Sequence, residues 1–202
     1  MDYSKLGFKC GLEIHQQLET HKLFCSCPSI IHDENPAITV KRKIRAVAGE
    51  TGGVDKAAAF EKARGRTFIY EACKTSSCLV ELDEEPPHDV NQEALMIAME
   101  IALLLNAKPI DRIQFMRKTV IDGSNVSGFQ RTALIATDGY IQTSKGKVAV
   151  PTICLEEEAA KKISDNGNEV TYRLDRLGVA LVEIATDPSI KYAEHAKECA
   201  SI

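Results

Sequence analysis

Gly11-Leu12-Glu13-Ile14-His15-Gln16-Gln17-Leu18 alternates apolar and polar residues. A period of two marks a β-strand, because successive side chains leave a strand on opposite faces. Glu13 and His15 therefore share one face, and Leu12 and Ile14 the other. A carboxylate and an imidazole on one face can hold a hard metal ion or work as an acid/base pair. The same two side chains could equally be the wet side of an amphipathic strand.

Around this strand, read over residues 6–18, further extended segments follow at 67–72, 79–82, 112–121, 132–142, 148–155, 170–175 and 178–185. Pro28 and Pro36 close a loop, and Pro86-Pro87 breaks the chain again. Asn91 is placed to cap a helix from Gln92 to about Asn106, whose apolar residues cover most of its surface and predict an all-round buried helix. A last helix is expected to begin near Ile190. Strands outnumber helices without regular alternation, which predicts an α+β fold with a mixed, largely antiparallel sheet and flanking helices. The final helix reaches Ile202 without a cap, so the chain reads as cut rather than finished.

The 202 residues carry 25 Lys and Arg against 29 Asp and Glu, a net charge of −4. That balance argues against the whole chain acting as a nucleic-acid clamp, so any polyanion contact must come from a local patch. Two such patches exist, Lys41-Arg42-Lys43-Ile44-Arg45 and Lys62, Arg64 and Arg66, beside the glycine-rich run 48–53. Each could be a phosphate-contact surface or a solvated face. No apolar run reaches membrane-spanning length, and Met1-Asp2-Tyr3-Ser4-Lys5 lacks the apolar core of a secretory signal. Seven cysteines then point to a reduced, cytoplasmic setting with thiols or a metal site rather than disulfides.

Three segments set carboxylates in apolar surroundings: Glu13 with His15; Leu155-Glu156-Glu157-Glu158, read as a strand end leading into a helical stretch; and Leu181-Val182-Glu183-Ile184. A buried, unpaired carboxylate is costly, so Glu183 needs a cation or donor partner, whether a core Arg or a metal. Together the three segments could offer Mg²⁺ carboxylates and an imidazole, which makes phosphoryl transfer the chemistry to test. Cys25-x-Cys27 and Cys73-x₄-Cys78 could supply four thiolates to a structural zinc, or remain unligated thiols. The loop 122–131 has no Walker-type ending, and no Gly-x-Gly-x-x-Gly follows a strand. No Ser/His/Asp or Cys/His nucleophile arrangement stands out.

Read in order, these segments resemble the B/E-type subunits of tRNA-dependent amidotransferases. The resemblance runs from residues 11–18 through the Cys-x-Cys, Arg117-Lys118, Gly128-Phe129-Gln130 and Leu155-Glu156-Glu157-Glu158-Ala159. It continues through Leu174-Asp175-Arg176-Leu177-Gly178-Val179 to Leu181-Val182-Glu183-Ile184-Ala185-Thr186-Asp187-Pro188. Met116-Arg117-Lys118-Thr119-Val120-Ile121-Asp122-Gly123-Ser124-Asn125 and Val80-Glu81-Leu82-Asp83-Glu84-Glu85-Pro86-Pro87-His88 favour the archaeal E type. The resemblance implies that residues 1–202 are the N-terminal part of a catalytic cradle domain from a longer protein. It implies ATP-dependent phosphorylation of the γ-carboxylate of Glu-tRNA(Gln), followed by displacement of phosphate by ammonia. An asparaginase-like D subunit would supply that ammonia, in a heterotetramer, with tRNA gripped through domains mostly beyond this stretch.

By the same resemblance, Glu13, His15, Glu156 and Glu183 match the Mg²⁺ ligands, with Glu157 an alternative to Glu156 because the triplet leaves its register open. Arg117 and Lys118 would stabilise phosphate charge. Ser124, Asn125 and Gln130 would orient the nucleotide or the aminoacyl end, or else merely cap and solvate their loop, and Arg176 would pair with a carboxylate. The isolated piece is not expected to be active. The x₄ spacing of Cys73 to Cys78 departs from the Cys-x₂-Cys of zinc-bearing B-type relatives and leaves the fourth zinc ligand open. A zinc-stabilised RNA-binding or assembly module without catalysis is the competing reading, resting on the cysteines and the basic clusters.

Overall fold

The computed structural model describes residues 5–31, 35–49 and 51–202. Residues 1–4 of the amino terminus, 32–34 of the proline-bounded loop and Glu50 of the glycine-rich run lie outside the described residues. In chain order the elements are β1 (Glu13–Gln17), β2 (Ile38–Lys43), α1 (Lys56–Ala63), β3 (Thr67–Ala72), α2 (Gln92–Leu104), β4 (Lys108–Pro109) and β5 (Phe115–Thr119). They continue with β6 (Phe129–Thr143), β7 (Gly146–Glu157), β8 (Lys161–Asp165), β9 (Glu169–Arg173), β10 (Ala180–Ala185) and α3 (Ala193–Ser201).

Two sheets result. The larger runs β1-β10-β7-β6-β4, with β5 also on β6, and all its pairings are antiparallel. The smaller runs β2-β3-β9-β8, with β3 and β9 parallel. The α+β class read from the sequence is the class observed, with its largely antiparallel strands divided between two sheets. A tight hairpin joins β6 to β7: Thr143 pairs with Gly146 across Ser144-Lys145, and Gly146 takes a φ of +124° that a side chain would resist.

Asn91 caps α2 as expected, its Oδ1 accepting from the Ala94 N–H at 3.2 Å. Ala94, Ala98 and Ala102, one per turn, form the fully buried stripe that packs against β4, β6 and β7. The all-round burial expected of this helix is not found. Leu104 is 80 % exposed, and Met96 and Leu103 also face outward, because small side chains rather than the largest ones set the packed face. A second core fills one side of the smaller sheet around Phe68, Tyr70, Val170 and Tyr172. The loop 122–126 closes over it, as the Tyr70 hydroxyl donates to Gly123 O at 2.8 Å and the Tyr172 hydroxyl to Asp122 O at 2.9 Å. Gly123 takes a φ of +84°, and a Cβ there would stand 2.3 Å from the Phe68 ring, so only glycine fits.

Four local expectations need correction. Residues 79–82 form a turn, not a strand, because Glu81 folds back to accept from the Cys78 N–H. The stretch after Glu158 is strand β8, not helix, since it pairs with β9. The basic run lies on β2 and is followed by α1, both unforeseen because each has only a weak apolar face. The first strand is confined to Glu13–Gln17, where β10 supplies a partner.

Candidate metal centre on the larger sheet

Antiparallel register assembles the centre. His15 on β1 lies opposite Glu183 on β10, and Glu183 lies opposite Cys154 on β7. Directly opposed residues project to the same side of a sheet, as do residues two apart on one strand. Glu13, His15, Glu183, Cys154 and Glu156 therefore share a face with Thr132 and Gln130 on β6 and Lys118 on β5. His15 Nε2 lies 3.1 Å from Glu183 Oε2 and 3.5 Å from Glu13 Oε1. One ligand atom from each of the three falls within 4.8 Å of the others. Two carboxylates and an imidazole on an open sheet face suit a hard divalent cation that keeps part of its coordination sphere for water or phosphate.

Glu156 stands farther along the same face and is not in that group. It is only 2 % exposed. Thr132 Oγ1 donates to it at 3.0 Å, Gln130 Nε2 at 2.9 Å, and Lys118 Nζ approaches to 3.5 Å. Gln130 is thus committed to the carboxylate and, through a second bond, to the Glu157 carbonyl at 3.0 Å. Burial, then the negative charge of Glu183 and Glu156, pushes the Cys154 thiol up to about 11.

The remaining predicted residues lie elsewhere. Glu157 points to the opposite face, where Arg131 Nη1 donates to its two oxygens at 3.0 and 3.1 Å and the Arg131 backbone N–H donates at 3.0 Å. Burial raises its carboxyl above the ordinary range, while Arg131 opposes the rise. Arg117 alternates with Lys118 along β5, and its guanidinium lies 5.0 Å from the centre of the Phe129 ring. Ser124 and Asn125 sit in the loop over the smaller core. Asp122 accepts from the Ser124 N–H and hydroxyl. Among the described residues both side-chain amide atoms of Asn125 are buried without a hydrogen-bond partner, and the residue lines two small cavities of about 20 Å³ each. Such a cavity has room for a single water molecule. Among the described residues the Arg176 guanidinium donates to the Ala159 and Ala160 carbonyls rather than to a carboxylate.

A second cluster forms where the loop after β1 meets the turn after β3. Cys25, Cys27 and Cys78 bring their sulfurs within 4.8 Å of one another and of a Glu81 oxygen. The Cys25 thiol donates to Glu81 Oε1 at 3.0 Å, and buried Lys22 lies 3.5 Å from the same oxygen. Burial, reinforced by Glu81, holds the Cys25 thiol far above its ordinary range, and burial pushes Cys78 up to about 11. Cys73 is outside this group, and Glu81 takes the fourth place. Cys78-x₂-Glu81 carries the two-residue spacing of a zinc half-site with a carboxylate in the second position, the signal that could have revealed Glu81. Three sulfurs and one carboxylate suit zinc.

The basic patches are largely balanced by nearby carboxylates: Lys41 by Glu169, Arg42 by Glu84, Arg64 by Glu61, and Arg66 by Glu61 and Asp165. That pairing weakens them as a continuous phosphate surface. Among the described residues no helix is long and apolar enough to cross a membrane.

By sequence, the chain falls within a known class of catalytic domain. Residues 8–202 match the family model described as the GatB/GatE catalytic domain, and the chain belongs to that family. It is 55 % identical over 201 residues to the E subunit of glutamyl-tRNA(Gln) amidotransferase from Methanocaldococcus jannaschii, covering 99 % of this chain and 32 % of that protein. It is 56 % identical over 196 residues to the protein of that name from Pyrococcus horikoshii, covering 97 % and 31 %. The corresponding protein of Pyrococcus furiosus is 54 % identical over 197 residues, covering 98 % and 31 %. The chain thus spans about a third of the length of these curated relatives.

Proposed function

We propose that this chain carries the carboxylate-activating site of an ATP-dependent amidotransferase that converts Glu-tRNA(Gln) to Gln-tRNA(Gln). The observation that carries the reading is the convergence of Glu13, His15 and Glu183 at one end of a polar stripe that continues through Glu156 to Lys118. A γ-carboxylate oxygen of the glutamyl ester attacks the γ-phosphorus of ATP, the bond to the bridging oxygen breaks, and ADP leaves. Ammonia then attacks the acyl carbon of the resulting acyl phosphate, and inorganic phosphate departs. In the full enzyme an asparaginase-like D subunit is the ammonia source.

Glu13, His15 and Glu183 would hold a magnesium ion, which supplies neutralisation of the triphosphate charge. Lys118 presents an ammonium to the phosphoryl oxygens as charge develops in transfer. Glu156 holds Lys118 in place and is itself fixed by Thr132 and Gln130, so the stripe is ordered before substrate arrives. Arg117 lies on the other side of β5 and would act only where phosphate wraps the sheet edge. Cys25, Cys27, Cys78 and Glu81 would hold a zinc ion, which supplies a structural cross-link.

Mn²⁺, whose anomalous scattering marks it in a crystal, is the probe. A peak between Glu13, His15 and Glu183, lost in Glu183→Gln together with ATP-dependent γ-phosphorylation, is the expected outcome. Zinc alone, with salt-sensitive RNA binding and no Mn²⁺ at the triad, would favour the non-catalytic module instead.

A further inference from the structure

Lys22 is 0 % exposed, and among the described residues it is the only buried lysine or arginine. Lysine is almost never wholly enclosed without a paired charge, because its ammonium is strongly hydrated. Its Nζ donates to the Leu174 carbonyl at 3.0 Å and lies 3.5 Å from Glu81 Oε1. Glu81 is itself buried, and its other oxygen accepts from the Cys78 N–H at 2.7 Å. Gly178 passes close to both side chains: a Cβ there would stand 3.5 Å from Glu81 Oε1 and 3.6 Å from Lys22 Cδ.

A buried ion pair is a poor source of stability, since apolar side chains of similar volume often serve as well or better. A pair kept in the interior therefore calls for a further use, and the neighbouring sulfurs supply one. Lys22 belongs to the loop that carries Cys25 and Cys27, closed by the Lys22 N–H donating to the Cys27 carbonyl at 2.9 Å. Glu81 belongs to the turn that carries Cys78. Fixing a glutamate side chain costs more rotamer freedom than fixing a cysteine. A carboxylate standing where a fourth thiolate would be expected thus needs partners of its own, and metal-ligating carboxylates are commonly held by hydrogen bonds from behind.

We infer that Lys22 is a positioning residue for metal at the cysteine cluster, its ammonium anchoring Glu81 as the fourth ligand beside Cys25, Cys27 and Cys78. The inference rests on the proposed zinc site and adds the reason a carboxylate can complete it. Pinned between Lys22 and the Cys78 N–H, the Glu81 carboxylate is oriented toward the sulfurs before the ion arrives. Lys22 itself touches no metal; it acts through Glu81.

The test titrates zinc into the full-length protein against a chromophoric chelator, then repeats the titration with Co²⁺, whose sulfur-to-metal absorption reports the bound thiolates. Lys22→Met, similar in length and uncharged, is expected to weaken zinc roughly tenfold to a hundredfold, the scale of losing a partner that orients a ligand. The absorption per bound Co²⁺ stays that of three sulfurs. Glu81→Cys converts Cys78-x₂-Glu81 into the ordinary two-thiolate half-site and keeps zinc, and in that background Lys22→Met leaves the affinity nearly unchanged. Unchanged affinity in Lys22→Met alone, or an equal loss in both backgrounds, overturns the inference while leaving the zinc site standing. If Lys22→Met alone does not fold, the double variant decides. Folded with zinc bound, it ties Lys22 to Glu81; unfolded as well, it assigns Lys22 to the Leu174 carbonyl and overturns the inference. A wild type that takes up no zinc overturns both.

Discussion

Glu156 and Glu157 are neighbours in sequence and part company at the backbone: strand alternation sends one to the polar stripe and the other into the core. On the core side Glu157 is held by Arg131, whose guanidinium also lies 5.4 Å from the centre of the Phe24 ring. Removing one member of a buried ion pair leaves an uncompensated charge and costs about 3–5 kcal/mol. Arg131→Met is therefore expected to destabilise strongly, with a definite pH dependence. The folded-state pKa of Glu157 is raised above its ordinary 4.5, so above that pH the folded chain binds more protons than the unfolded one. Stability from this group accordingly falls as pH rises through that interval. Without Arg131 to restrain the shift the fall is steeper, and urea unfolding should show the variant losing more near neutral pH than near 4.5.

At the scale of elements, the tip of the β6–β7 hairpin is where α3 is anchored. Thr143 Oγ1 donates to Gly146 O, so His195 Nε2, 3.1 Å away, donates to it in turn. Glu198 accepts from the Ser144 N–H and hydroxyl and pairs with Lys145 at 2.9 Å. The Ser144 backbone bond, then Lys145, lowers the Glu198 pKa to about 2. A depressed carboxylate contributes stability above its ordinary 4.5 and loses it as pH falls towards about 2. Glu198→Gln should therefore melt below the wild type at neutral pH, with the gap closing as the solution is acidified through that window. Calorimetry of both proteins across the range checks it. Constancy of the gap would assign α3 docking to packing around His195 and Cys199 instead.

For the molecule as a whole, the cysteine cluster ties the loop after β1 to the turn between β3 and α2, segments that share no strand pairing. If zinc occupies it, binding free energy becomes folding free energy. Elemental analysis should find zinc in the purified protein, and a strong chelator should lower the melting midpoint by roughly 5 °C or more. Cys78→Ser and Glu81→Gln should lose the metal, whereas Cys73→Ser should keep it. Retention in Glu81→Gln with loss in Cys73→Ser would reverse the assignment of the fourth ligand.

Local chemistry made much of the architecture legible in the sequence. Alternation located the extended segments, with 67–72 matching β3 residue for residue, and Asn91 marked the start of α2. These signals rest on interactions within a few residues, so the chain states them without its partners. β2 and α1 were missed because their apolar faces are weak, and 79–82 was misread because the bond that turns it runs from Cys78 to Glu81 and leaves no periodic trace. The pairing of Glu13 and His15 on one face was likewise written locally. Their meeting with Glu183, the separation of Glu156 from Glu157 and the choice of Glu81 over Cys73 were decided by tertiary structure. The first two depend on register between strands far apart in sequence and the third on where two loops meet, which only packing of the two cores determines.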